Sequence, residues 1–315
     1  MKNQFVNKLS EGDYVNDVFI AARNDLRSKQ DGGKFLGVVM RDRTGEIGGV
    51  MWNNAAETSR LFNVGDVVNV RGDVRSYQNR LQIHVESVTP LKDSEYDVAD
   101  LVYTPDTIQE DLRLLRETLE TVKDKYVRAL FEIFWQDADF VARFTTAAAA
   151  KKWHHEYRGG LVRHCYEMAR IADTMCELFP NLNRDILLAG VFLHDLGKLY
   201  EMSHDMVVDY TDEGKLLGHL HIGAEMAARN MGKIPGFPAK MRLELLHLIL
   251  SHHGELQYGS PVVPKTLEGI VLHHIDNLDA QTAAISRVVR ETAERGQAWS
   301  EYLPQIERVI WTKQD

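Results

Sequence analysis

Residues 187–198 read LLAGVFLHDLGK, and this stretch decides the fold of the larger part of the chain. An apolar run of helical character ends in His194 and Asp195, two adjacent residue types that bind metals, and Gly197 and Lys198 follow. Imidazole and carboxylate together suit Mn, Fe, Zn or Mg. A carboxylate beside a histidine can bridge two metals, and paired metals activate water against phosphoesters. The stretch therefore predicts a helix that ends at a metal centre with phosphoester chemistry.

Two further candidates lie far from this doublet in the sequence. His164 falls on the apolar face of a predicted helix, so its side chain is directed inward. Asp276 lies in the run IVLHHIDNL at residues 270–278, where a buried carboxylate without a cation partner would be costly. One inward histidine is usually a hydrogen-bonded core residue. Four such coincidences in one chain favour a metal site instead.

These residues, in this order, resemble the HD-domain superfamily of metal-dependent phosphohydrolases, whose pattern is a His, a His-Asp doublet and a distal Asp. The resemblance implies a divalent metal centre of two ions that share Asp195. The chain's segments GHLHIGAE at 218–225 and SHHGE at 251–255 resemble the ligand-bearing segments of two-metal members. They favour His219 over His221 and His252 over His253 as metal ligands, and both choices stay open. The implied metal ligands are His164, His194, Asp195, His219, His252, His253 and Asp276.

The same resemblance assigns the catalytic roles. Asp195 and Lys198 are the expected catalytic residues, and hydroxide activated by the metal is the expected nucleophile, so that no serine or cysteine nucleophile is needed. Lys198 is expected to clamp a phosphate. The alternative is a helix-terminal cation that only stabilises the C-terminal dipole.

Composition sets broad limits on the chain. Its 315 residues are enough for two domains, and its hydrophobic fraction of 44% is ordinary for a soluble protein. The net charge of −9 falls wholly on the part after residue 95, because residues 1–95 contain equal numbers of basic and acidic residues. Cys165 and Cys176 lie in one predicted helix and cannot reach each other, which favours a reducing cytoplasm. The N-terminus does not resemble a signal peptide, and no apolar run is long enough to cross a bilayer.

The N-terminal part reads as short strands rich in Val, Ile and aromatic residues, separated by Gly- and Asp-containing turns. Five strands with a longer segment at Asn54–Phe62 fit a small Greek-key barrel. From Thr107 the pattern becomes helical, with one helix predicted over Asp111–Phe134 and a last one over Ala293–Ile310. The predicted strands are Val15–Arg23, Lys34–Arg41, Ile47–Asn53, Val67–Asp73 and Leu81–Val88.

Residues 34–47 and 65–72 resemble an OB-fold nucleic-acid-binding domain. In such a fold, aromatic and basic side chains on the second and third strands contact a single strand. The candidates are Phe35, Arg41, Arg43, Trp52 and Tyr77, although Phe35 and Trp52 could instead fill the barrel.

The predicted fold class is therefore multidomain α and β, with an N-terminal five-stranded OB-like β-barrel followed by an all-α HD domain. The expected boundaries are an OB-fold domain over 1–95, a linker and connecting helices over 96–150, an HD domain over 151–290 and a C-terminal helix over 291–315. Apolar and aromatic residues of this last helix favour a homo-oligomer, or else pack on the domain itself. They are Trp299, Tyr302, Leu303, Ile306, Val309, Ile310 and Trp311.

The order of barrel, helices and HD domain, with WHHEYRGGL at residues 153–161, resembles the YhaM family of 3′–5′ exoribonucleases. That resemblance implies degradation of single-stranded RNA, and of single-stranded DNA in some members, to nucleoside monophosphates. It also implies manganese as the metal, with Fe, Mg, Co and Zn as alternatives. His154, His155, Tyr157 and Arg158 are candidates for lining the substrate entry, the last three also for contact with the nucleic acid, and a turn with surface aromatics is the alternative for this segment.

Two other functions remain open at this point. The chain could be an HD phosphohydrolase of a small nucleotide or cyclic dinucleotide, with a regulatory barrel. It could also be a nucleic-acid-binding protein without catalysis, although an inert domain has no need of the complete ligand set.

Overall fold

Five strands near the N-terminus close into a barrel. They are β1 (Tyr14–Ser28), β2 (Lys34–Asp42), β3 (Gly45–Met51), β4 (Val67–Tyr77) and β5 (Arg80–Pro90), with the short helix α1 (Ala55–Thr58) between β3 and β4. The strand order is β1-β2-β3-β5-β4, and β1 closes the barrel by pairing antiparallel with both β2 and β4. Along β2 the side chains alternate, so that Leu36, Val38 and Met40 lie inside. The predicted five-stranded OB-like barrel is confirmed.

The computed structural model describes residues 2–29, 32–78, 80–151, 153–204 and 206–312. At its start, the segment before β1 is fixed to the barrel by a buried lysine. The Lys2 ammonium donates to the Val18 carbonyl at 2.6 Å, lies 3.3 Å from Asp42 and sits 3.4 Å above the Phe19 ring. The Lys2 side chain is thus the cation that balances a buried carboxylate of the barrel.

The chain divides into two compact units, and the division differs from the predicted boundaries. The first unit runs to Thr104 and includes His204–Val208, and the second begins at Pro105. The barrel unit extends beyond residue 95 because Leu101, in helix α2 (Val98–Leu101), packs in a buried cluster with Ile20 and Val67. The predicted linker over 96–150 is therefore wrong for this region, and the helices after Thr104 share the core of the second unit.

Helices make up most of the second unit. They are α3 (Ile108–Glu120), α4 (Lys125–Gln136), α5 (Ala138–Thr146), α6 (Gly160–Leu178), α7 (Arg184–Leu193), α8 (Lys198–Glu201), α9 (Asp212–Gly232), α10 (Ala239–Ser251) and α11 (Leu267–Glu294). A two-stranded hairpin joins α8 to α9 and consists of β6 (Met202–His204) and β7 (Val208–Tyr210). Within the described residues, no helix combines the length and apolarity that a membrane crossing needs.

The single helix predicted over Asp111–Phe134 is two helices. The Asp124 carboxylate accepts from the backbone N–H groups of Tyr126 and Val127, which caps the start of α4. The apolar period continues across the break because α3 and α4 pack into the same core. Periodicity alone therefore did not reveal the boundary.

The helix predicted over 291–315 is wrong for residues 295–312, because α11 ends at Glu294, and residues 313–315 of that prediction lie outside the described residues. Gly296, with φ of +67°, adopts the left-handed conformation that commonly ends a helix. The chain then doubles back, with antiparallel bridges between Trp299 and Trp311 and between Leu303 and Arg308. Apolar residues spaced by three and four resembled a helical face, whereas the structure places them in an irregular hairpin.

Candidate metal centre

Two helices of the second unit end at histidines held in the same way. His194 caps α7 and His252 caps α10. Each ring uses Nδ1 to bond the carbonyl oxygen three residues earlier, that of Val191 or Ile249, at 2.8 Å. A carbonyl oxygen only accepts, so Nδ1 carries the proton and Nε2 carries a lone pair. An apolar helix followed by His thus directs Nε2 beyond the helix end.

Three more histidines show the same polarity, each with a different acceptor. Nδ1 of His164 lies 2.7 Å from the Asp279 carboxylate, and Nδ1 of His219 lies 2.9 Å from the Glu201 carboxylate. Nδ1 of His253 lies 2.9 Å from the carbonyl oxygen of Tyr258. Such acceptors fix the tautomer and orientation of metal-binding histidines in proteins. All five rings therefore point Nε2 away from their anchors.

The first group of these atoms surrounds one point. Nε2 of His164 lies 3.2 Å from Nε2 of His194 and 3.4 Å from Oδ1 of Asp276. Oδ2 of Asp195 lies 3.4 Å from Nε2 of His194 and 3.7 Å from Nε2 of His164. Three imidazole and carboxylate residues of this group, His164, His194 and Asp276, can together hold one ion.

A second group adjoins the first through the other oxygen of the same carboxylate. Oδ1 of Asp195 lies 3.6 Å from Nε2 of His219 and 3.6 Å from Nε2 of His252. Nε2 of His253 lies 3.2 Å from Nε2 of His219. His221 is exposed on α9 and belongs to neither group. The structure therefore brings both His252 and His253 to the centre, and His219 rather than His221.

These donor atoms fit divalent cations. Two lone pairs at 3.2 Å repel each other unless a cation or a proton lies between them, and this occurs in both groups. Ligand atoms about 2.1 Å from a metal lie roughly 3.0–3.4 Å from one another. Oδ1 of Asp195 is buried and has no hydrogen-bond partner among the described residues. A cation would supply the missing partner, so each group can hold one divalent ion.

Electrostatics at the centre keep the carboxylate ionised. Burial opposes the charge of Asp195, but the Lys198 ammonium lowers its pKa well below the usual range. Burial likewise opposes a charge on His164, yet hydrogen bonding to Asp276 raises the pKa of His164 to about 10. A proton on His164 therefore competes with a cation for the same position.

Helix α9 brings His219 to the centre through two glycines. Gly218 has φ of +71° and kinks the helix immediately before His219. Gly197 lies against α9 so closely that a Cβ on it would be 2.0 Å from the His219 carbonyl oxygen. The Gly that follows the His-Asp doublet is thus required by close packing of two backbones.

The family of this chain follows from comparison with known proteins. The HD domain model matches residues 161–281, and the model of the OB-fold nucleic acid binding domain matches residues 20–91. The chain is 32% identical over 278 residues to the 3′-5′ exoribonuclease YhaM of Geobacillus sp. (strain WCH70), covering 87% of this chain and 85% of that protein. The chain belongs to the YhaM exoribonuclease family. It is therefore a hydrolase with an HD domain of the metal-dependent phosphohydrolase type.

Two solved structures also resemble this member of the YhaM family. One is the second OB-fold domain of replication protein A from Methanococcus maripaludis, at 23% identity and a TM-score of 0.25, covering 30% of this chain and all of that one. The other, a crystal structure of a domain of replication protein A from the same organism, has 22% identity and a TM-score of 0.26, covering 29% and 98%.

Segment 153–160 precedes the first histidine of the centre. The residues predicted there to contact nucleic acid differ in burial and in their partners. His155 is buried, with Nε2 3.0 Å from Asp279 and Nδ1 2.9 Å from the Tyr157 hydroxyl. His155 and Tyr157 thus support the anchor of His164, while Arg158 is half-buried in the same segment. His154 is also buried, and burial and the charges of His164 and Lys198 lower its pKa well below the usual range.

The barrel of the first unit carries exposed aromatic residues outside its core. The Phe35 and Trp52 rings lie 5.2 Å apart, Trp52 is 48% exposed, and the Lys29 ammonium lies 5.1 Å above it. Tyr77 lines a surface groove of about 470 Å³ together with Gly48. Neither Phe35 nor Trp52 fills the barrel.

The two predicted arginines of the barrel lie elsewhere. Arg41 is six residues along β2 from Phe35, about 20 Å at the rise of a strand, and lies 3.8 Å from Glu46. Arg43 stacks 4.7 Å over the Phe5 ring and donates to the Ala99 carbonyl. The structure therefore does not bring Arg41 and Arg43 to the aromatic pair. Arg80 lines the groove instead and escaped the sequence analysis, because an isolated strand arginine carries no local signal.

Proposed function

We propose that this chain is a metal-dependent 3′–5′ exonuclease that hydrolyses single-stranded RNA to nucleoside monophosphates, with single-stranded DNA as a second substrate. The observation that carries the proposal is the convergence of four Nε2 atoms on the two oxygens of Asp195, with Nε2 of His253 3.2 Å from Nε2 of His219. The family relative named above is a 3′-5′ exoribonuclease. Proposed ligands are His164, His194, Asp195, His219, His252, His253 and Asp276, holding two ions, with Mn²⁺ as the first candidate.

The roles of the protein groups follow from their contacts. Bound divalent cations lower the pKa of water and polarise phosphoester oxygens. Asp195 offers one oxygen to each group and would hold the two groups at a fixed separation. The Lys198 ammonium lies 2.6 Å from Oδ2 of Asp195 and is mostly buried, so its charge is directed to the centre. We assign Lys198 to stabilise the charge that develops on phosphorus.

The barrel supplies the proposed grip on the strand. Bases stack on exposed aromatic rings, each worth about 1–3 kcal/mol, and such stacking does not depend on sequence. Trp52 with Phe35, and Tyr77 with Arg80 in the groove, provide rings and a cation on the outer surface. Because residues 1–95 have equal numbers of acidic and basic residues, stacking rather than net charge is expected to dominate binding.

The test uses single-stranded RNA with a free 3′ hydroxyl, labelled at either end, with Mn²⁺ present. A 3′ label should appear at once in mononucleotide, whereas a 5′ label should pass through a ladder of shortened strands. Circular RNA of the same sequence should stay intact, and Asp195→Ala should abolish cleavage. Intact linear RNA with the unmodified chain would contradict the proposal, and cleavage of the circle would indicate an endonuclease.

A second arm separates strand degradation from hydrolysis of a small nucleotide. Trp52→Ala should weaken binding of long strands, while Tyr14→Ala removes another exposed aromatic, on β1, as a control. If Trp52→Ala leaves RNA turnover unchanged and a cyclic dinucleotide is the better substrate, the barrel does not feed the HD domain.

We also propose a cytoplasmic location and a homo-oligomer. Both cysteines of the chain are free, as a reducing compartment allows. Trp299, Tyr302 and Trp311 are each more than half exposed in the C-terminal hairpin and are candidates for contact with a second copy. Light scattering of the unmodified chain and of a Trp299→Ser variant would measure the assembly.

A further inference from the structure

His154 is a buried histidine without a hydrogen-bond partner. It is 9% exposed, and within the described part of the chain neither ring nitrogen has a partner. A buried polar group without a hydrogen-bond partner destabilises the folded protein. By contrast, each of the five histidines of the metal centre has its Nδ1 bound to an oxygen. A buried histidine whose two ring nitrogens both lack hydrogen bonds suggests that a bound ligand supplies the partner.

The position of His154 is enforced by its neighbours. His155 adopts φ of +44°, a left-handed conformation that non-glycine residues seldom take. Gly160 allows the His155 carbonyl to approach, since a Cβ there would lie 1.9 Å from that oxygen. Glu156 pairs with Arg287 of α11, which ties the segment to the helix that carries Asp276. Backbone strain and tight packing thus hold the His154 ring in place.

The ring stands at the edge of the metal centre but outside its ligand groups. Its centroid lies 5.0 Å from that of His164, and the charges that act on it include those of Lys198, Asp276 and Asp195. Both groups of donors are complete without it. A neutral imidazole has one N–H donor and one acceptor nitrogen. Beside a centre that accepts a phosphate, the group it can serve is a phosphate oxygen.

We propose that His154 is a catalytic residue that donates a hydrogen bond to a non-bridging oxygen of the scissile phosphate, in addition to the charge that Lys198 contributes. The inference rests on the proposed function, because it takes the substrate to be a phosphodiester at the metal centre. It explains why a histidine is buried without a partner in the protein. It also explains why the segment before His164 accepts a strained backbone at His155.

The test compares His154→Phe, which keeps a ring and removes the donor, with His154→Asn, which keeps a short N–H donor. His274→Phe is the control, because it replaces an exposed histidine on α11. Three quantities are measured on the full chain: metal per chain, affinity for adenosine 5′-monophosphate by calorimetry with Mn²⁺ present, and kcat and KM on single-stranded RNA. Near-ultraviolet circular dichroism monitors folding.

His154→Phe should keep the metal content while affinity for the monophosphate and kcat/KM fall about 10- to 100-fold, the range of a hydrogen bond to a charged group. His154→Asn should recover part of both losses, and His274→Phe should behave like the unmodified chain. Loss of metal from His154→Phe would show a ligand and overturn the inference, as would unchanged affinity and kcat/KM. If the unmodified chain fails to degrade RNA, the proposed function is wrong. The affinity of His154→Phe for adenosine 5′-monophosphate then still tests whether His154 binds a phosphate.

Discussion

Replacing Asp279 by Asn should weaken the affinity for one metal and leave the other site intact. Oδ2 of Asp279 accepts from Nδ1 of His164 at 2.7 Å and contacts Nε2 of His155 at 3.0 Å, in a setting where the carboxylate is 5% exposed. The amide of Asn keeps the shape but loses the charge, and its NH₂ group cannot accept from a histidine. Hydrogen-bond partners of this kind typically contribute 10- to 100-fold in metal affinity, which is about 1.4–2.7 kcal/mol.

The assay is competition between the chain and a chromogenic chelator for Mn²⁺, followed by elemental analysis. Unmodified protein should bind two ions, whereas Asp279→Asn should show one unchanged binding step and one step weakened by that factor. Asp139→Asn is the matched control, since Asp139 forms an exposed pair with Arg143 on α5. Equal affinity of both variants for two ions, with normal circular dichroism, would refute the assigned role of Asp279.

Three other changes test the packing and the linkage. Gly197→Ala should destabilise the helical unit by about 1–3 kcal/mol in urea unfolding, because the added Cβ would clash with the His219 carbonyl. Gly232→Ala is the control and should not destabilise it, because no atom lies within 4 Å of the added carbon. Lys2→Met should destabilise the barrel by about 3–5 kcal/mol, because the Asp42 carboxylate loses its buried cation, and an unchanged midpoint in chemical unfolding of the barrel would contradict this. A metal that binds only the folded chain should raise the free energy of unfolding by about 2.7 kcal/mol when its concentration is a hundred times its dissociation constant. An unfolding temperature that does not change when Mn²⁺ is added would argue against a metal centre.

The barrel and the histidines of the centre could be predicted from the sequence because both leave local patterns in it. Alternation along β2 and the turns between strands predicted the barrel, and an apolar helix that runs into His194 and Asp195 predicted the first ligands. The resemblance to a known family then placed His219 and His252 near them. Each of these inferences used residues that are close in sequence or arranged in a family pattern.

Other parts depended on contacts between distant residues. Glu201 orients His219 across 18 positions, and Asp279 meets His155 across 124, so no local pattern reveals either pair. The helix predicted at the C-terminus is wrong because apolar residues spaced by three and four also occur in hairpins. The boundary near residue 95 moved because Leu101 packs on the barrel, and packing of one residue is invisible in composition.

The anchoring of all five imidazoles through Nδ1 has a consequence for how metal is acquired. Each ring is already immobilised by an oxygen of the protein, so metal binding does not have to order these side chains, which would otherwise cost a fraction of a kcal/mol to about 2 kcal/mol each. The chain is thus expected to fold first and to take up ions afterwards. Because donors of this type bind several divalent metals, with affinities that follow a general chemical order, the supply of ions in the surroundings then decides which metal occupies a site that is already formed.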